Sequence, residues 1–422
     1  MEKRVPRQDD NRMEAVECSL LTEPEAALAW RRALIRQARH AIDAQYYSWA
    51  EDDSGSQLLA ELLAAARRGV QVRLLVDDMY VVTSGWLALL AGEPNVAVRL
   101  FNPFRFRLWR PLALLLEILL RFRRLNHRMH NKLLLIDGRF AIVGGRNMGD
   151  SYFDRSASTA FIDLDLLCRG ILCRQLEQGF VRFWRSRWSR SLLRLHPELG
   201  TMSTDERARR CAALLSLTGQ EGEPPAPIWW QGEGRVLFDV PGKGILRPGR
   251  VAGWIDRALQ QAGPRLVLVS PYLLLPPRFM RRLRRLARRG CEISVLTNSM
   301  ATTDVPLVQA TYEQQRERLR RLGIALHELR PDRGRSLHAK LVLTGSGEIL
   351  LGSFNLDPRS LFLNTELVVR LRCEPLQEAL QQWVAGWQQE SWPQHRQAHP
   401  PLPCWRRAWR WLAGRLPIQR WL

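Results

Sequence analysis

The chain has 422 residues, which is enough for two domains of ordinary size, and its 46% hydrophobic and 25% charged content excludes a disordered or low-complexity protein. Its 63 lysines and arginines against 42 acidic residues give a net charge of +21. Such a charge attracts polyanions, either nucleic acid or a membrane rich in anionic lipid, and does not distinguish between them. The seven cysteines are scattered without the spacing of a zinc site or a disulfide framework, so no metal or cofactor is expected.

The N-terminal segment is polar and lacks the apolar core of a signal peptide. We therefore expect residues 1–20 to be disordered. The longest apolar run, residues 112–120, contains Glu117 and is too short to cross a bilayer. Together these features predict a cytoplasmic protein with peripheral membrane contacts.

Two regions of the chain repeat one pattern of strand, helix and strand. The first runs from Ala41 to Asp78, and the second begins at Arg265. In both, the helix ends in Arg-Arg-Gly, where Gly69 and Gly290 suit the left-handed residue that follows a helix. This alternation predicts an α/β fold with a parallel or mixed sheet covered by helices.

A proline-rich, acidic stretch separates the two copies and predicts a linker. The expected organisation is a first domain over residues 21–218, a linker over 219–228, a second domain over 229–403 and a tail over 404–422. Matching halves suggest two related domains rather than one domain and an unrelated appendage.

A second, sharper repeat lies within these halves. The first copy contains His130, Lys132, Gly144, Gly145 and Asn147, and the second contains His338, Lys340, Gly352, Ser353 and Asn355. The offsets from histidine to lysine, to the first glycine and to asparagine are 2, 14 and 17 in both copies. A single histidine on a strand is usually structural, but two copies at identical spacing favour a function.

Each copy also predicts a hairpin. Leu133 to Ile136 and Ala141 to Val143 flank Asp137-Gly138, a strong tight-turn signal. Because residues two apart on a strand share a face, each histidine projects beside its lysine. The returning strand ends in Gly144-Gly145 or Gly352-Ser353 and so brings the asparagine alongside, which makes Gly145, Ser353 and the two asparagines the expected substrate-binding residues. Imidazole, ammonium and carboxamide around one space suit a phosphoryl group, with histidine as nucleophile or proton carrier.

The lysines strengthen this interpretation. The chain contains only four, and two of them are Lys132 and Lys340. Elsewhere the chain uses arginine almost throughout, so a compact ammonium group is specifically needed at these two places.

The two motifs closely resemble the histidine–lysine signature of the phospholipase D superfamily. The resemblance implies two pseudo-symmetric α/β/α sandwich domains with mixed sheets and one active site at their interface. It also implies a metal-free, two-step reaction through a phosphohistidine. His130 is the expected nucleophile and His338 the expected acid and base, although the sequence leaves the reverse assignment open.

The superfamily also places a carboxylate downstream to orient each histidine. Glu366 matches this position well, and Asp163 is the expected counterpart, with Asp165 as the competing choice. Such a carboxylate would fix the histidine tautomer and stabilise the imidazolium. The motif's own aspartate is present as Asp137, whereas the second copy has Gly345. Its place in the motif puts Asp137 among the predicted catalytic residues, whereas its place in the hairpin turn predicts a structural role.

Beyond the motifs, residues 128–153, 293–331 and 352–366 resemble bacterial cardiolipin synthases of the C type. The resemblance covers roughly residues 20–422. It implies synthesis of cardiolipin from phosphatidylglycerol and a second phospholipid, expected to be phosphatidylethanolamine. The expected location is the cytoplasmic face of the bacterial inner membrane. The oligomeric state is left open by the sequence.

Two segments predict contact with an anionic phospholipid membrane. Residues 104–125 have an apolar centre bracketed by arginine and tryptophan, and the tail over 404–422 separates Trp405 and Trp409 from Arg406 and Arg407 around a helix. Either could instead pack on its own domain. The alternative function is a phosphodiesterase that hydrolyses phospholipid or nucleic acid. Nucleic acid is not the expected partner, although the basic and aromatic residues at 182–188 could stack on bases.

Overall fold

The computed structural model describes residues 12–79, 85–105, 124–219, 223–243, 248–331 and 334–392, together with the single positions 112, 116 and 120. The predicted tail over 404–422 lies outside these residues, as does most of the apolar segment over 104–125. The strands are β1 Glu14–Leu21, β2 Ala41–Tyr46, β3 Gln71–Asp77, β4 Val96–Phe101, β5 Leu133–Ile136, β6 Phe140–Gly144, β7 Ala160–Ile162, β8 Asp165–Arg169, β9 Ser189–Ser191, β10 Trp230–Phe238, β11 Arg265–Val269, β12 Glu292–Thr297, β13 Ala325–Leu329, β14 Arg335–Leu337, β15 Leu341–Thr344, β16 Ile349–Gly352, β17 Leu367–Arg372 and β18 Ser391–Trp392.

The helices flank this sheet on both faces. They are α1 Pro24–Gln37, α2 Asp53–Arg67, α3 Trp86–Ala91, α4 Ile171–Trp184, α5 Leu192–Leu195, α6 Thr204–Leu215, α7 Arg250–Gln260, α8 Pro277–Arg288, α9 Pro306–Arg321 and α10 Glu374–Gln389. Short helical turns cover Asp150–Tyr152, Pro197–Thr201 and Arg359–Leu363.

Sixteen of the described strands form one sheet in the order β18-β13-β12-β11-β15-β16-β17-β10-β1-β8-β6-β5-β2-β3-β4-β9. The order is the same when it is read outward from the antiparallel β1–β10 pair in either direction, so a pseudo-twofold axis passes between these two strands. The predicted fold class is confirmed, and the sheets of the two halves join edge to edge. The two α/β halves thus share one continuous mixed sheet.

The N-terminus shows one correction. Glu14–Leu21 form β1, which pairs with β8 on one side and with β10 on the other, so the predicted disorder is wrong for these residues. Their polar appearance is misleading because Val16 and Cys18 are buried while Glu17 pairs with Arg169. In this position β1 is the first half's copy of β10.

Local sequence explains how the repeated helices begin and end. The Asp52 side chain accepts a hydrogen bond from the Gly55 backbone N–H at 3.0 Å, which caps the start of α2. Gly69 and Gly290 follow α2 and α8 with φ of +94° and +79°, as the sequence predicted. Both helices therefore stop where the chain must turn into the next parallel strand.

The core is divided by the sheet. Leu133 and Leu135 of β5 face α4, within a buried cluster that runs through both halves to α10. Leu134 and Ile136, on the opposite face, pack in a cluster with α1 and α2, and a third cluster surrounds α7 and α8 in the second half. The shared cluster ties the two halves together on one face of the sheet.

The aromatic residues at 182–188 belong to this core. Phe183 is fully buried, Trp184 is 8% exposed and stacks on Phe180, and Trp188 packs against His127 with 5.0 Å between ring centroids. The prediction that this stretch could stack on nucleic-acid bases is therefore wrong, because its rings are occupied within the fold.

Candidate active site

Main-chain pairing between the halves brings the two histidines together. β14, which precedes His338, pairs in parallel with β7, and Met129 forms a bridge with Thr365. The backbone N–H of His130 donates to the Thr365 carbonyl at 2.9 Å, and that of His338 donates to the Ile162 carbonyl at 2.8 Å. Each histidine thus follows a segment that is paired with the opposite half.

The same pairing places each histidine next to a carboxylate of the opposite half. His130 Nδ1 lies 3.0 Å from Glu366 Oε2, and His338 Nδ1 lies 2.5 Å from Asp163 Oδ2. Each histidine is therefore oriented by a carboxylate of the other half, since Thr365 and Ile162 immediately precede these acids. Neither half has a complete histidine–carboxylate pair by itself.

The competing choice, Asp165, has a different environment. Its carboxylate accepts hydrogen bonds from Arg31 at 2.8 Å and from Arg146 at 3.1 Å, and all three side chains are buried. A buried carboxylate held by two guanidinium groups is a structural ion cluster. The structure therefore places Asp163, and not Asp165, at the histidine.

The surroundings of His130 fix its tautomer. Its Nδ1 faces two acceptors, Glu366 Oε2 and the Ser353 carbonyl oxygen, each at 3.0 Å. Nδ1 must therefore carry the hydrogen, which leaves the lone pair on Nε2. Burial lowers the pKa of His130 to about 4, so the ring is neutral at neutral pH. A neutral imidazole with a free lone pair is the form that attacks phosphorus.

His338 has a different environment at the same atom. Its Nδ1 contacts one acceptor, Asp163, and also Lys340 Nζ at 2.8 Å, which is a donor when charged. A 2.5 Å contact with the ionised Asp163 carboxylate requires a hydrogen on Nδ1, so His338 carries a proton on Nε2 only as the imidazolium. Burial lowers the pKa of His338 and the Asp163 carboxylate opposes that shift. Asp163 itself has a lowered pKa because the His338 and Lys340 charges outweigh its burial.

The two motif lysines lie inside the protein. Lys132 is 1% exposed and Lys340 3%, and each Nζ donates to the carbonyl of the histidine two residues earlier. Burial lowers the pKa of Lys132 well below its ordinary value and that of Lys340 to about 8, while Asp163 and Glu366 oppose both shifts. The two lysines therefore lie beside both histidines, with Asp163 and Glu366 as the carboxylates that favour their charged forms.

Three aromatic rings surround the histidines. Tyr47 meets His130 edge-on with 5.2 Å between ring centroids, and Tyr152 meets His338 in the same way at 5.2 Å. Phe161 lies 5.0 Å from His338. These rings reduce the water around the imidazoles, which is consistent with the lowered histidine pKa values.

Gly145 and Ser353 occupy equivalent positions and act on different carboxylates. A Cβ at Gly145 would lie 2.0 Å from Asp163 Oδ1, so only glycine leaves room for this carboxylate. Ser353 Oγ instead donates to Glu366 Oε2 at 2.5 Å. Both residues therefore position a carboxylate, and the predicted direct contact with substrate stays a prediction for each.

The two asparagines also differ. Asn147 donates from Nδ2 to the Tyr152 hydroxyl at 2.8 Å and accepts from the Ser48 N–H at 3.3 Å. Asn355 is 4% exposed, and within the described chain its Oδ1 makes no hydrogen bond. Asn355 is therefore better placed than Asn147 to offer its carboxamide to a substrate, and a substrate-binding role for both stays a prediction.

Asp137 is the one residue of the predicted catalytic set that lies away from the histidines. It occupies the turn of the β5–β6 hairpin with φ of +52°, and its carboxylate accepts hydrogen bonds from the N–H groups of Arg39, His40 and Ala41 at 2.8–2.9 Å. These contacts are those of the structural role that the hairpin predicts, and a catalytic role for Asp137 stays a prediction. Gly345 can replace this aspartate because the equivalent turn in the second half needs no reacting group.

Sequence reasoning missed a pair of residues that hold the histidine segments. Asp77 Oδ2 accepts from the Met129 N–H at 2.9 Å, and Asn298 Oδ1 accepts from the Leu337 N–H at 2.8 Å. The two occupy the same place in the halves, since Asp77 is the last residue of β3 and Asn298 directly follows β12. The available signal was a polar residue directly after each apolar strand of the repeat.

A second missed group lies behind Glu366. The Ser360 hydroxyl donates to Glu366 Oε1 at 2.7 Å, and the Ser360 N–H donates to Asp357 Oδ1 at 2.7 Å. Burial raises the pKa of Asp357 to about 7, and the nearby Glu366 charge adds to this. Three groups, Ser353, Ser360 and His130, thus fix the Glu366 carboxylate. Burial raises the pKa of Glu366, but the His130 and Lys132 charges and the hydrogen bonds from His130 and Ser353 outweigh it, so the pKa is lowered.

Among the described residues, no cluster of three histidine, cysteine or acidic side chains has the arrangement of a metal site. Within the same part of the chain, no helix is both long and apolar enough to cross a membrane.

The family model described as cardiolipin synthase, phospholipase D-like domain, matches residues 32–184 and 255–387. These two ranges carry the two motifs and correspond to the two halves of the fold. The chain belongs to this phospholipase D-like family. It is a transferase of the cardiolipin-synthase-like branch of the superfamily.

Individual relatives agree with this placement. Cardiolipin synthase C of Escherichia coli strain K12 is 35% identical, with 94% of both chains covered. Cardiolipin synthase B of the same strain is 26% identical over 83% of this chain and 75% of its own. The crystal structure of phosphatidylserine synthase from Haemophilus influenzae Rd KW20 has a TM-score of 0.71 at 15% identity, with 97% of each chain covered, which shows the same fold. As a phospholipase D-type phosphatidyltransferase, the chain uses both halves to build one site.

Proposed function

We propose that this phosphatidyltransferase makes cardiolipin from phosphatidylglycerol and a second phospholipid, with phosphatidylethanolamine as the phosphatidyl donor. The observation that carries the proposal is the crossed arrangement of His130 with Glu366 and of His338 with Asp163, beside two buried lysines. The similarity to cardiolipin synthase C over 94% of both chains supports the choice of product.

In the first step, His130 Nε2 attacks the phosphorus of the donor. The bond from phosphorus to the headgroup oxygen breaks, and the His338 imidazolium gives its Nε2 proton to the departing ethanolamine oxygen, which leaves a neutral His338 ring with its Nδ1–H hydrogen-bonded to Asp163. The ammonium groups of Lys132 and Lys340 offset the charge on the phosphoryl oxygens. The product of this step is a phosphatidyl group bonded to His130, with Glu366 balancing the positive imidazole ring.

In the second step, His338 acts in reverse. It takes the proton from a headgroup hydroxyl of phosphatidylglycerol, and that oxygen attacks the phosphorus. The bond between phosphorus and His130 Nε2 breaks, and cardiolipin leaves. Water in place of the hydroxyl would give phosphatidic acid, so the same site would hydrolyse lipid if water were not excluded.

A membrane location is part of the proposal, at the cytoplasmic face of the bacterial inner membrane. Leu112, Leu116 and Leu120 are helical positions four residues apart, which place them on one face of a helix. Leu112 is 42% exposed and Leu120 is 67% exposed. Exposed leucines at this spacing support insertion into a lipid surface.

The test uses the purified full-length enzyme and mixed vesicles in which the two lipids carry different headgroup labels. We expect release of labelled ethanolamine and formation of cardiolipin by mass spectrometry, and no product from the His130→Ala, His338→Ala double variant. Release of glycerol with cardiolipin would make phosphatidylglycerol the donor as well as the acceptor. Phosphatidic acid as the main product, without cardiolipin, would contradict the proposed transfer and favour the phosphodiesterase alternative.

A further inference from the structure

A basic cavity of about 860 Å³ lies along helix α7 in the second half, against strands β10 and β17. Its lining includes five arginines and one acidic residue, Glu348. None of the histidines, lysines and carboxylates of the active site lines it. The five arginines are Arg235, Arg250, Arg257, Arg370 and Arg372, and the tryptophan that lines the cavity with them is Trp254.

These arginines lie close together, whereas arginines on a protein surface usually lie apart. Arg235 and Arg370 stand directly opposite each other on the antiparallel strands β10 and β17. Like charges at such a position repel each other. The Trp254 ring reduces this repulsion, since the guanidinium carbons of Arg235, Arg257 and Arg370 lie 5.5, 4.7 and 5.1 Å from its centroid.

The acidic groups nearby do not neutralise this charge. Glu348 is shared by two guanidinium groups, those of Arg370 and Arg372. Asp256 of α7 instead binds Arg278 and Arg282 of helix α8. The lining therefore carries a net positive charge of four in its described residues.

Arg370 has a buried donor that no acceptor of the described protein satisfies. Its residue is only 8% exposed, and its Nε makes no hydrogen bond with the described protein. A buried donor without an acceptor costs free energy that a bound acceptor would recover. Guanidinium groups bind phosphate through two parallel hydrogen bonds, so phosphate oxygens match this set of donors.

We propose that the α7 cavity is a second anion site, which binds a phosphate-bearing ligand apart from the two-histidine site. The ligand chemistry is a phosphate mono- or diester, either the headgroup of an anionic phospholipid or a free phosphate. The cavity volume exceeds that of one phosphate group, and Leu237 and Trp254 provide apolar surface for the carbon part of a headgroup. A lipid bound here would hold the second half at the membrane.

The test compares two charge reversals in the full-length protein. Arg257→Glu changes an exposed residue of the cavity, and Arg284→Glu makes the same change at an exposed position of the adjacent α8, outside the cavity. Circular dichroism verifies that both variants fold. Binding is measured by flotation with phosphatidylcholine vesicles with and without phosphatidylglycerol, and by calorimetric titration with inorganic phosphate.

We expect Arg257→Glu to reduce partition onto the phosphatidylglycerol vesicles by about fivefold or more, and Arg284→Glu by less than about twofold, if a headgroup occupies the cavity. If free phosphate is the ligand, Arg257→Glu alone abolishes the phosphate heat while vesicle binding is unchanged. Equal losses for the two variants in both measurements would overturn the proposal, because they would show a general surface charge. Unchanged binding in both variants would overturn it as well.

Discussion

The two halves of the active site have the same backbone plan and different proton environments. His130 has two acceptors at Nδ1, whereas His338 has one acceptor and the Lys340 ammonium. The first arrangement holds a neutral ring with a lone pair on Nε2, and in the second the Asp163 carboxylate can balance an imidazolium that carries a proton on Nε2. On the proposed assignment of roles, the comparison teaches that duplicated motifs can divide nucleophile and acid between them without any change in the histidine or lysine.

The largest expected effects come from the histidines themselves. His130→Ala and His338→Ala should each lower kcat by about a thousandfold or more, and the double variant should be little worse, because both belong to one unit. Steady-state transfer assays check this. A diester with a good leaving group, such as a nitrophenol, should restore formation of the phosphatidyl-enzyme in His338→Ala and not in His130→Ala. Equal rescue of the two variants would show that their roles are not divided as proposed.

The crossed carboxylates should come next. Glu366→Gln and Asp163→Asn should each reduce kcat by about a hundredfold to a thousandfold, because each amide can leave the histidine in the wrong tautomer. Presteady-state kinetics should show slow attack in Glu366→Gln and slow protonation of the leaving group in Asp163→Asn.

Asp165→Asn provides the matched control for these two variants. It is expected to lower the unfolding temperature by removing the partner of Arg31 and Arg146, with no dependence on the leaving group. A leaving-group effect as large as that of Asp163→Asn would reverse the assignment of the two aspartates.

Substitutions at Gly145 and Ser353 should reduce kcat less, and by different factors in the two halves. Gly145→Ala places a carbon atom against Asp163 and should cost roughly ten- to a hundredfold in kcat. Ser353→Ala removes one hydrogen bond to Glu366 and should cost about tenfold or less. Parallel kinetic assays of the two variants check the order. A harmless Gly145→Ala would show that Asp163 can shift without loss.

The pH dependence, which changes the rate little near neutral pH, reports on Lys340. Its lowered pKa of about 8 means that the side chain is charged below pH 8 and loses its proton as the pH rises through that value. The profile of kcat/KM should therefore fall by about tenfold per pH unit on the alkaline side. His130, with a pKa lowered to about 4, stays neutral down to that pH and places the acid limb there.

Lys340→Arg is the control for that limb, because a guanidinium stays charged at alkaline pH. Its activity should be lower at every pH, and the decline near pH 8 should be absent. Persistence of the decline in this variant would assign it to another group.

Much of the site could be predicted from the sequence because the repeat fixed the spacing of chemically distinctive residues. The repeated spacing singled out His130, Lys132, His338 and Lys340, the turn signals predicted the hairpins that follow them, and the resemblance added Glu366 and Asp163. The crossing of the carboxylates could not be predicted, since it depends on the pairing of β7 with β14 and of Met129 with Thr365. These are contacts between residues far apart in the chain.

The errors have equally local causes. Glu14–Leu21 looked disordered because a strand in the middle of a sheet can keep charged residues that pair across it, as Glu17 does with Arg169. The aromatic residues at 182–188 looked like a binding surface because composition does not show which rings are buried. Asp137 illustrates the same limit, since a motif position does not reveal whether a carboxylate faces substrate or backbone.

The most direct test of the division of roles is to locate the covalent phosphatidyl group. The His338→Ala enzyme is mixed with a nitrophenyl-activated phosphatidyl donor, quenched at alkaline pH where phosphohistidine is stable, and digested for peptide mass spectrometry. The account predicts the adduct on His130, in the peptide that contains Lys132, and none in His130→Ala treated in the same way. An adduct on His338 in the His130→Ala enzyme, with none on His130 in the His338→Ala enzyme, would contradict it.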